Sequence, residues 1–236
     1  MFLLFKKIDY SKLPKHIAFI MDGNGRWAKK RNKDRNFGHS QGVAAFERVV
    51  KYCFELNIKC ITFFAFSTEN WKRSNDEVNG LLNILRNFLN EKCEEFIKAN
   101  VKLNILGDIS KFPKDIIKAC EDIVEKTKKC NKYILNLALN YGARDEILHA
   151  ANRCIQNKLP LTAENFEKYL FTAGQPDPDL IIRTSGEIRL SNFLLYQAAY
   201  SELYFTKTLW PSFSVAGLKR AILIYQSKSR RFGGVK

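Results

Sequence analysis

Short apolar runs alternate with longer amphipathic segments along most of the chain. The apolar runs are typical of buried strands, and we predict strands at residues 17–21, 60–66, 101–106, 133–139, 180–182 and 203–205. Between them, hydrophobic residues recur at helical spacing. This spacing predicts helices over about residues 41–56, 77–99, 113–129, 143–156, 191–197 and 215–225.

The alternation of strand and helix predicts an α/β fold with a mostly parallel central sheet of about six strands flanked by helices. No internal repeat, low-complexity tract or linker rich in proline or serine divides the 236 residues. We therefore expect one domain over residues 1–236, with an N-terminal extension at 1–15 and a C-terminal tail at 226–236.

The first predicted strand ends in Asp22-Gly23-Asn24-Gly25-Arg26. Ligands of parallel sheets bind beyond the carboxyl ends of the strands, so Asp22 stands where it could hold a metal ion. The glycines let backbone N–H groups approach an anion, and Arg26 offers donors to phosphate oxygens. We interpret the segment as a site for a metal-bound phosphate or diphosphate, with a tight turn and a solvated aspartate as the alternative. Neither GxGxxG nor Walker A spacing is present, which disfavours nucleotide binding.

The formal net charge of +15, from 39 basic and 24 acidic residues, indicates an anionic partner. Phosphorylated substrates, an acidic membrane surface and nucleic acid all fit the charge. A zinc finger, a basic helix and paired surface aromatics are not evident, so we expect no nucleic-acid partner.

The six cysteines form no CxxC pair, and only three histidines are present. A zinc site is therefore not expected, and free thiols in a reducing compartment fit better. The apolar residues 1–5 are too few for a signal sequence, and no other stretch is long enough to span a membrane. We expect a soluble, cytoplasmic protein whose basic surface can contact a membrane.

Polar segments follow four of the predicted strands, and a parallel sheet would gather them at one edge. Each segment contributes at least one arginine; the arginines are Arg26, Arg73, Arg144, Arg183 and Arg189. Isolated polar turns are the simple alternative, but four such segments together favour a site for one or two diphosphates.

Several long motifs resemble the cis-prenyltransferase family, and bacterial undecaprenyl diphosphate synthases in particular. They are HIAFIMDGNGRWAKK, FGHSQG, FAFSTENWKR, LALNYGARDEI, LIIRTSGEIRLSNFLLYQAAYSELYF, LWP and RRFGG. The resemblance implies a homodimeric, Mg²⁺-dependent enzyme that condenses isopentenyl diphosphate onto an allylic diphosphate such as farnesyl diphosphate, forming Z double bonds. The DDxxD motif of trans-prenyltransferases is absent from both the family and this chain.

The resemblance also assigns roles to residues. Asp22 and Glu202 would be metal-linked carboxylates, and Asn70 the proton acceptor. The allylic diphosphate would bind Gly23, Asn24, Gly25, Arg26, Trp27, Arg35 and His39. An active-site loop would comprise Ser67, Thr68, Glu69, Asn70, Trp71 and Arg73. Isopentenyl diphosphate would bind Arg183, Arg189, Leu190 and Ser191, and Arg231, Gly233 and Gly234 would reach the partner subunit.

Some of these roles have structural alternatives. His39 could be a helix residue without a ligand, Trp71 could pack the loop, and Glu202 could be an ordinary salt-bridge partner. Since an amide is a poor base, we expect Asn70 to position a water or a diphosphate oxygen. A phosphatase or phosphotransferase could use the same edge of the sheet.

The predicted helix at residues 77–99 has an apolar stripe that would line a tunnel for a growing polyprenyl tail. At 1.5 Å per residue it spans roughly 30 Å. It has no insertion relative to the bacterial pattern, which favours a medium-length product such as undecaprenyl diphosphate, the precursor of the lipid carrier for cell-wall glycans. Leu139, near this predicted tunnel, stands where the family usually has a smaller residue, a difference that bears on product length.

Overall fold

The computed structural model describes residues 7–229. Its strands are β1 (His16–Ile20), β2 (Cys60–Ser67), β3 (Val101–Leu106), β4 (Tyr133–Tyr141), β5 (Leu180–Arg183) and β6 (Glu202–Phe205). Its α-helices are α1 (Asn24–Lys29), α2 (Arg35–Glu55), α3 (Asn75–Lys98), α4 (Lys114–Thr127), α5 (Ala143–Gln156), α6 (Ala163–Glu167) and α7 (Val215–Gln226). Within this part of the chain, no helix combines the length and apolar character needed to cross a bilayer.

The six strands form one sheet in the order β3-β4-β2-β1-β5-β6, and every neighbouring pair is parallel. The chain places β2 on one side of β1 and later returns to place β5 on the other side of β1. The strand order therefore reverses beside β1, and α/β sheets bind ligands at the carboxyl end of such a switch point. The predicted α/β fold is confirmed, and the topology directs attention to the residues after Ile20.

Strand β1 is buried on both faces. Ile17 and Phe19 belong to the large apolar cluster under α2, α3, α4 and α7, while Ala18 and Ile20 belong to the cluster on the opposite face. Phe19 stacks on Phe63 of β2 with ring centroids 4.8 Å apart. Because two apolar layers hold the strand, the end of β1 is a rigid base for the residues that follow it.

Helices α1 and α6 were not predicted, and α2 begins at Arg35 rather than near residue 41. Asp34 caps α2 by accepting a hydrogen bond from the Phe37 amide at 2.7 Å. Gly38 obscures the helical pattern but has a packing role, since a Cβ there would come 2.2 Å from the Asn24 carbonyl oxygen. Glycine therefore lets α1 lie close against α2.

The prediction of a helix at residues 191–197 is wrong. Ser191, Asn192 and Leu194 have φ angles of 51°, 64° and 46°, which interrupt any right-handed helix. Only a 3₁₀ turn follows, at Gln197–Tyr200. This irregular backbone brings Ser191 and Asn192 to the carboxyl edge of the sheet, where they line a cavity.

Candidate active site

Asp22 and Arg183 form an ion pair where β1 and β5 end. Arg183 Nη2 donates to Asp22 Oδ2 at 2.9 Å, and the two side chains are 5% and 30% exposed. Burial alone would raise the pKa of Asp22. Hydrogen bonds from Arg183 and Ser185, with the charges of Arg183 and Arg26, outweigh burial and lower that pKa. Asp22 is therefore ionised. Its side chain also lines the cavity at the carboxyl edge of the sheet.

Arg183 also fixes the turn that follows β5. Its Nη1 donates to the Ser191 hydroxyl at 2.7 Å and to the Arg189 carbonyl oxygen at 2.6 Å. Leu190, between them, packs against the apolar cluster on that face of the sheet. Arg183 thereby links the Asp22 carboxylate to the residues predicted to bind isopentenyl diphosphate.

Arg26 approaches Asp22 from the first helical turn after β1. Its Nη2 lies 3.4 Å from Asp22 Oδ1 and donates to the Ser185 hydroxyl at 2.6 Å. Glu187 accepts from Arg26 at 3.0 Å and from Arg189 at 2.6 Å. Glu187 thus joins arginines assigned to two different diphosphates, and the sequence analysis did not select it.

A second cationic cluster surrounds Glu77 of α3. Its carboxylate accepts from Arg35 Nη1 at 2.9 Å and from Arg73 Nη1 at 2.7 Å, and it contacts His39 Nε2 at 3.3 Å. Burial works to raise the pKa of Glu77, but these cationic partners lower it. Burial also lowers the pKa of His39, against the raising effect of Glu77. Two predicted ligands of the allylic diphosphate, Arg35 and His39, therefore meet Arg73 of the predicted active-site loop on one carboxylate.

The segment from Ser67 to Arg73 forms a 3₁₀ turn over the end of β2. The Ser67 amide donates to Asn70 Oδ1 at 2.9 Å, and Trp71 Nε1 donates to Asn140 Oδ1 at 2.8 Å. The Trp71 ring packs against Phe66 and Phe112, so it anchors the segment to the core. Thr68 lies against Gly142, Glu69 accepts a hydrogen bond from Asn192, and Ser67, Glu69 and Asn70 line the cavity.

The cavity has a volume of about 640 Å³ and two chemically different parts. The polar part of its lining, called the mouth below, comprises Asp22, Asn24, His39, Ser67, Glu69, Asn70, Arg73, Arg183, Ser191 and Asn192. The apolar part comes from α2, α3, β2 and β4 and includes Val43, Phe46, Leu81, Ile84, Leu85, Phe88, Leu137 and Leu139. The expected convergence of polar strand ends is confirmed for β1, β2 and β5. Arg144 is not among the lining residues.

Several predicted residues lie away from this cavity. Trp27 donates to the Ser212 hydroxyl at 2.7 Å, stacks on Phe37 and carries the Arg31 guanidinium over its ring. Gly25 packs against the Arg35 side chain. Gly23 has a φ of 107° and lies against Leu209, so it shapes the turn after β1. Arg231, Gly233 and Gly234 lie outside the described residues.

Glu202 lies at the amino end of β6, whereas Asp22 follows the carboxyl end of β1. In the register, Glu202 pairs with Leu180, and Leu180 pairs with Ile17. The three residues from Ile17 to the end of β1 at Ile20 already cover roughly 10 Å along the strand direction, and Asp22 follows them. One chain therefore does not bring the two carboxylates to a shared ion. Within residues 7–229 no group of three or more His, Cys, Asp or Glu side chains is arranged to hold a metal.

Comparisons with known proteins agree with this geometry. The family model described as "Putative undecaprenyl diphosphate synthase" matches residues 20–233. An isoprenyl transferase of Clostridium acetobutylicum is 48% identical over 97% of this chain and 93% of its own length. One from Thermotoga maritima is 47% identical, over 95% and 98%.

Solved structures give the same result. Lavandulyl diphosphate synthase from Lavandula x intermedia, in complex with dimethylallyl diphosphate, matches with a TM-score of 0.91 and 33% identity, covering 95% of this chain and 100% of its own. A probable undecaprenyl diphosphate synthase from Campylobacter jejuni matches with a TM-score of 0.80 and 39% identity, covering 98% and 100%. The chain therefore belongs to the undecaprenyl diphosphate synthase family of prenyl transferases.

Proposed function

We propose that the protein condenses isopentenyl diphosphate repeatedly onto farnesyl diphosphate, in a Mg²⁺-dependent reaction, to give undecaprenyl diphosphate for cell-wall glycan synthesis. The observation that carries this proposal is the two-part cavity, because a polar part that contains Arg73 and Arg183 and an apolar part suit a diphosphate with a hydrocarbon tail. A phosphatase acting on small phosphates would not need the apolar part.

The basic residues around the cavity suggest where the two diphosphates bind. Arg26, Arg35, His39 and Arg73 would hold the allylic diphosphate, while Arg183, Arg189 and Ser191 would hold isopentenyl diphosphate. Each charge-assisted hydrogen bond contributes on the order of 1.5–3 kcal/mol. The positive charges also stabilise the negative charge that develops on the leaving diphosphate.

In the proposed reaction the allylic C–O bond breaks as a C–C bond forms to the isopentenyl double bond. The diphosphate leaves with the electron pair, and a proton then moves from C2 of the isopentenyl unit to a diphosphate oxygen. Asn70 lines the mouth, and its Oδ1 already accepts from the Ser67 amide. We assign Asn70 the positioning of that oxygen, since a neutral amide does not take the proton itself.

The residues fit Mg²⁺ if substrate supplies part of the coordination. Mg²⁺ is commonly held by one or two carboxylates together with substrate phosphates and waters. Asp22 supplies one ionised carboxylate at the mouth. When bound, Mg²⁺ would neutralise diphosphate charge at this point.

The test is incorporation of radiolabelled isopentenyl diphosphate with farnesyl diphosphate as starter, with the products separated by chain length. We expect polyprenyl products with Mg²⁺ and none with excess EDTA. Labelled reactions without Mg²⁺, in which adding the metal restores the products, provide the control. Folded protein that releases only phosphate from these substrates, without a new C–C bond, would contradict the proposal.

We also propose that the enzyme is a homodimer, formed through an apolar surface on α5 and the segment near β6. Leu148, Ile155, Leu195 and Leu203 are 62%, 68%, 38% and 45% exposed. A hydrogen bond of 3.1 Å from Gln197 to Glu146 brings the segment beside α5. β6 is also an edge strand of the sheet. Exposed edge strands and large apolar patches are usually covered by another part of the protein or by a partner.

The dimer is tested by light scattering coupled to gel filtration. Wild type should have twice the mass of one chain at micromolar concentration. Leu203→Lys should shift the protein towards monomer, because it places a charge in the buried contact. Lys219→Glu, on α7, serves as the surface control. A monomeric wild type with full activity would overturn the dimer proposal.

Finally, we propose that the enzyme works at the cytoplasmic face of a membrane. Its product would be a strongly amphiphilic lipid, and the net charge of +15 favours contact with anionic lipid headgroups.

A further inference from the structure

Glu77 places a buried negative charge inside a site that has to bind anions. Its side chain is only 7% exposed, although the neighbouring Arg35 and Arg73 side chains are 67% and 37% exposed. A carboxylate at this position would repel a diphosphate if it acted alone. We therefore expect Glu77 to contribute to diphosphate binding in a way that offsets this repulsion.

We propose that Glu77 is a positioning residue for the allylic diphosphate: it holds Arg35 together with His39 and Arg73, which line the mouth of the cavity. This inference rests on the proposed function. Glu77 itself does not contact substrate in this arrangement. It acts through the three side chains that do.

The contacts come from separate parts of the chain. Arg35 and His39 lie in the first turns of α2, Arg73 ends the segment after β2, and Glu77 lies in the first turn of α3. One carboxylate oxygen accepts from Arg35, and the other accepts from Arg73 and contacts His39. Glu77 thus connects α2 to the segment that carries Asn70.

The hydrogen-bond geometry leaves capacity for a second anion. An arginine has five N–H donors, and the contacts to Glu77 each use one nitrogen of the guanidinium. The remaining donors can bind phosphate oxygens. Two long arginine side chains, Arg35 mostly exposed and Arg73 partly exposed, would otherwise lose conformational entropy when they bind. A fixed carboxylate between them reduces that loss and offsets their mutual repulsion.

The main test compares Glu77→Gln with wild type in steady-state kinetics. We expect the KM for farnesyl diphosphate to rise about tenfold or more, while kcat and the KM for isopentenyl diphosphate change less than threefold. The matched control is Asp115→Asn, which removes a carboxylate that pairs with Arg86 of α3 outside the cavity. Its kinetic constants should equal those of wild type.

Histidine NMR gives a readout that general destabilisation would not reproduce. With three histidines in the chain, the His39 resonance can be assigned from a His39→Asn variant. Glu77 is the group that raises the pKa of His39, against burial and the charges of Arg73 and Arg35. In Glu77→Gln the titration of His39 should therefore move to lower pH, and in Asp115→Asn it should stay in place.

The outcomes separate this inference from the proposed function. If wild type incorporates no isopentenyl diphosphate, the proposed function fails, and calorimetric binding of inorganic diphosphate then decides on Glu77: weaker binding by Glu77→Gln supports its role, and equal binding overturns it. If wild type is active and the KM for farnesyl diphosphate is unchanged in Glu77→Gln, only this inference is overturned. Should Glu77→Gln fail to fold, Glu77→Asp decides, because it keeps the charge and withdraws it by one methylene; an unchanged KM would again overturn the inference.

Discussion

Replacing Asp22 by alanine is expected to lower kcat for isopentenyl incorporation by about a hundredfold to a thousandfold, the range seen when a group that stabilises developing charge is removed. The carboxylate faces the cavity beside Arg183 and Arg26, and its lowered pKa keeps it charged at neutral pH. Without it, the proposed metal loses its protein ligand and the two arginines lose a shared partner.

The fold of Asp22→Ala should survive, because Arg183 keeps its bonds to Ser191 and to the Arg189 carbonyl oxygen. Circular dichroism of the variant checks this point. Asp22→Asn separates charge from shape, and it should be almost as inactive as Asp22→Ala if the negative charge is what matters. Asp115→Asn again serves as the control carboxylate. Activity within tenfold of wild type in Asp22→Ala would refute the assignment of Asp22 as the metal-linked residue.

Replacing Phe88 by alanine is expected to lengthen the products. Phe88 lies on α3 eleven residues beyond Glu77, so roughly 16 Å of helix separates it from the mouth. It lines the cavity and packs edge-on against Phe46, with ring centroids 5.3 Å apart, and beside Phe96 at 5.9 Å. Truncating the ring opens space at the apolar end, where the tail of a growing chain would otherwise stop.

Mass spectrometry of the products measures the effect. The distribution should shift to longer chains, while the rate of the first condensation stays near the wild-type value because the mouth is untouched. Ile97→Ala, at a position on α3 that is 39% exposed, is the control and should leave the distribution unchanged. An unchanged distribution in Phe88→Ala would mean that this end of the cavity does not set product length.

Local patterns were sufficient for the elements around the site. The apolar runs ending near Ile20 and Arg183 predicted β1 and β5, since a strand buried on both faces is recognisable from its own residues. The placement of Asp22 beside Arg183 followed from the general geometry of parallel sheets. The parallel sheet and the polar strand ends could thus be predicted without knowing the strand order.

Contacts between distant residues could not be predicted in this way. Glu77 looks like an ordinary residue in the first turn of a helix, and its role depends on Arg35, which lies 42 residues earlier. Trp27 follows the glycine motif directly, yet α1 turns its ring towards Ser212. Glu202 has a carboxylate that could bind a metal ion. The strand register, which the sequence does not reveal, places it at the amino end of β6, away from Asp22.

The position of β1 in the sheet has a consequence for how the protein folds during its synthesis. Asp22 directly follows β1, but its partner Arg183 ends β5, and the hydrogen bond between their side chains closes a loop of 161 residues. Contacts of such long range form late and slowly during folding. A chain still emerging from the ribosome therefore has no complete diphosphate site until Arg183 has been synthesised. Diphosphates would then bind only the completed fold, and by binding it they would favour the native state over its partly folded precursors.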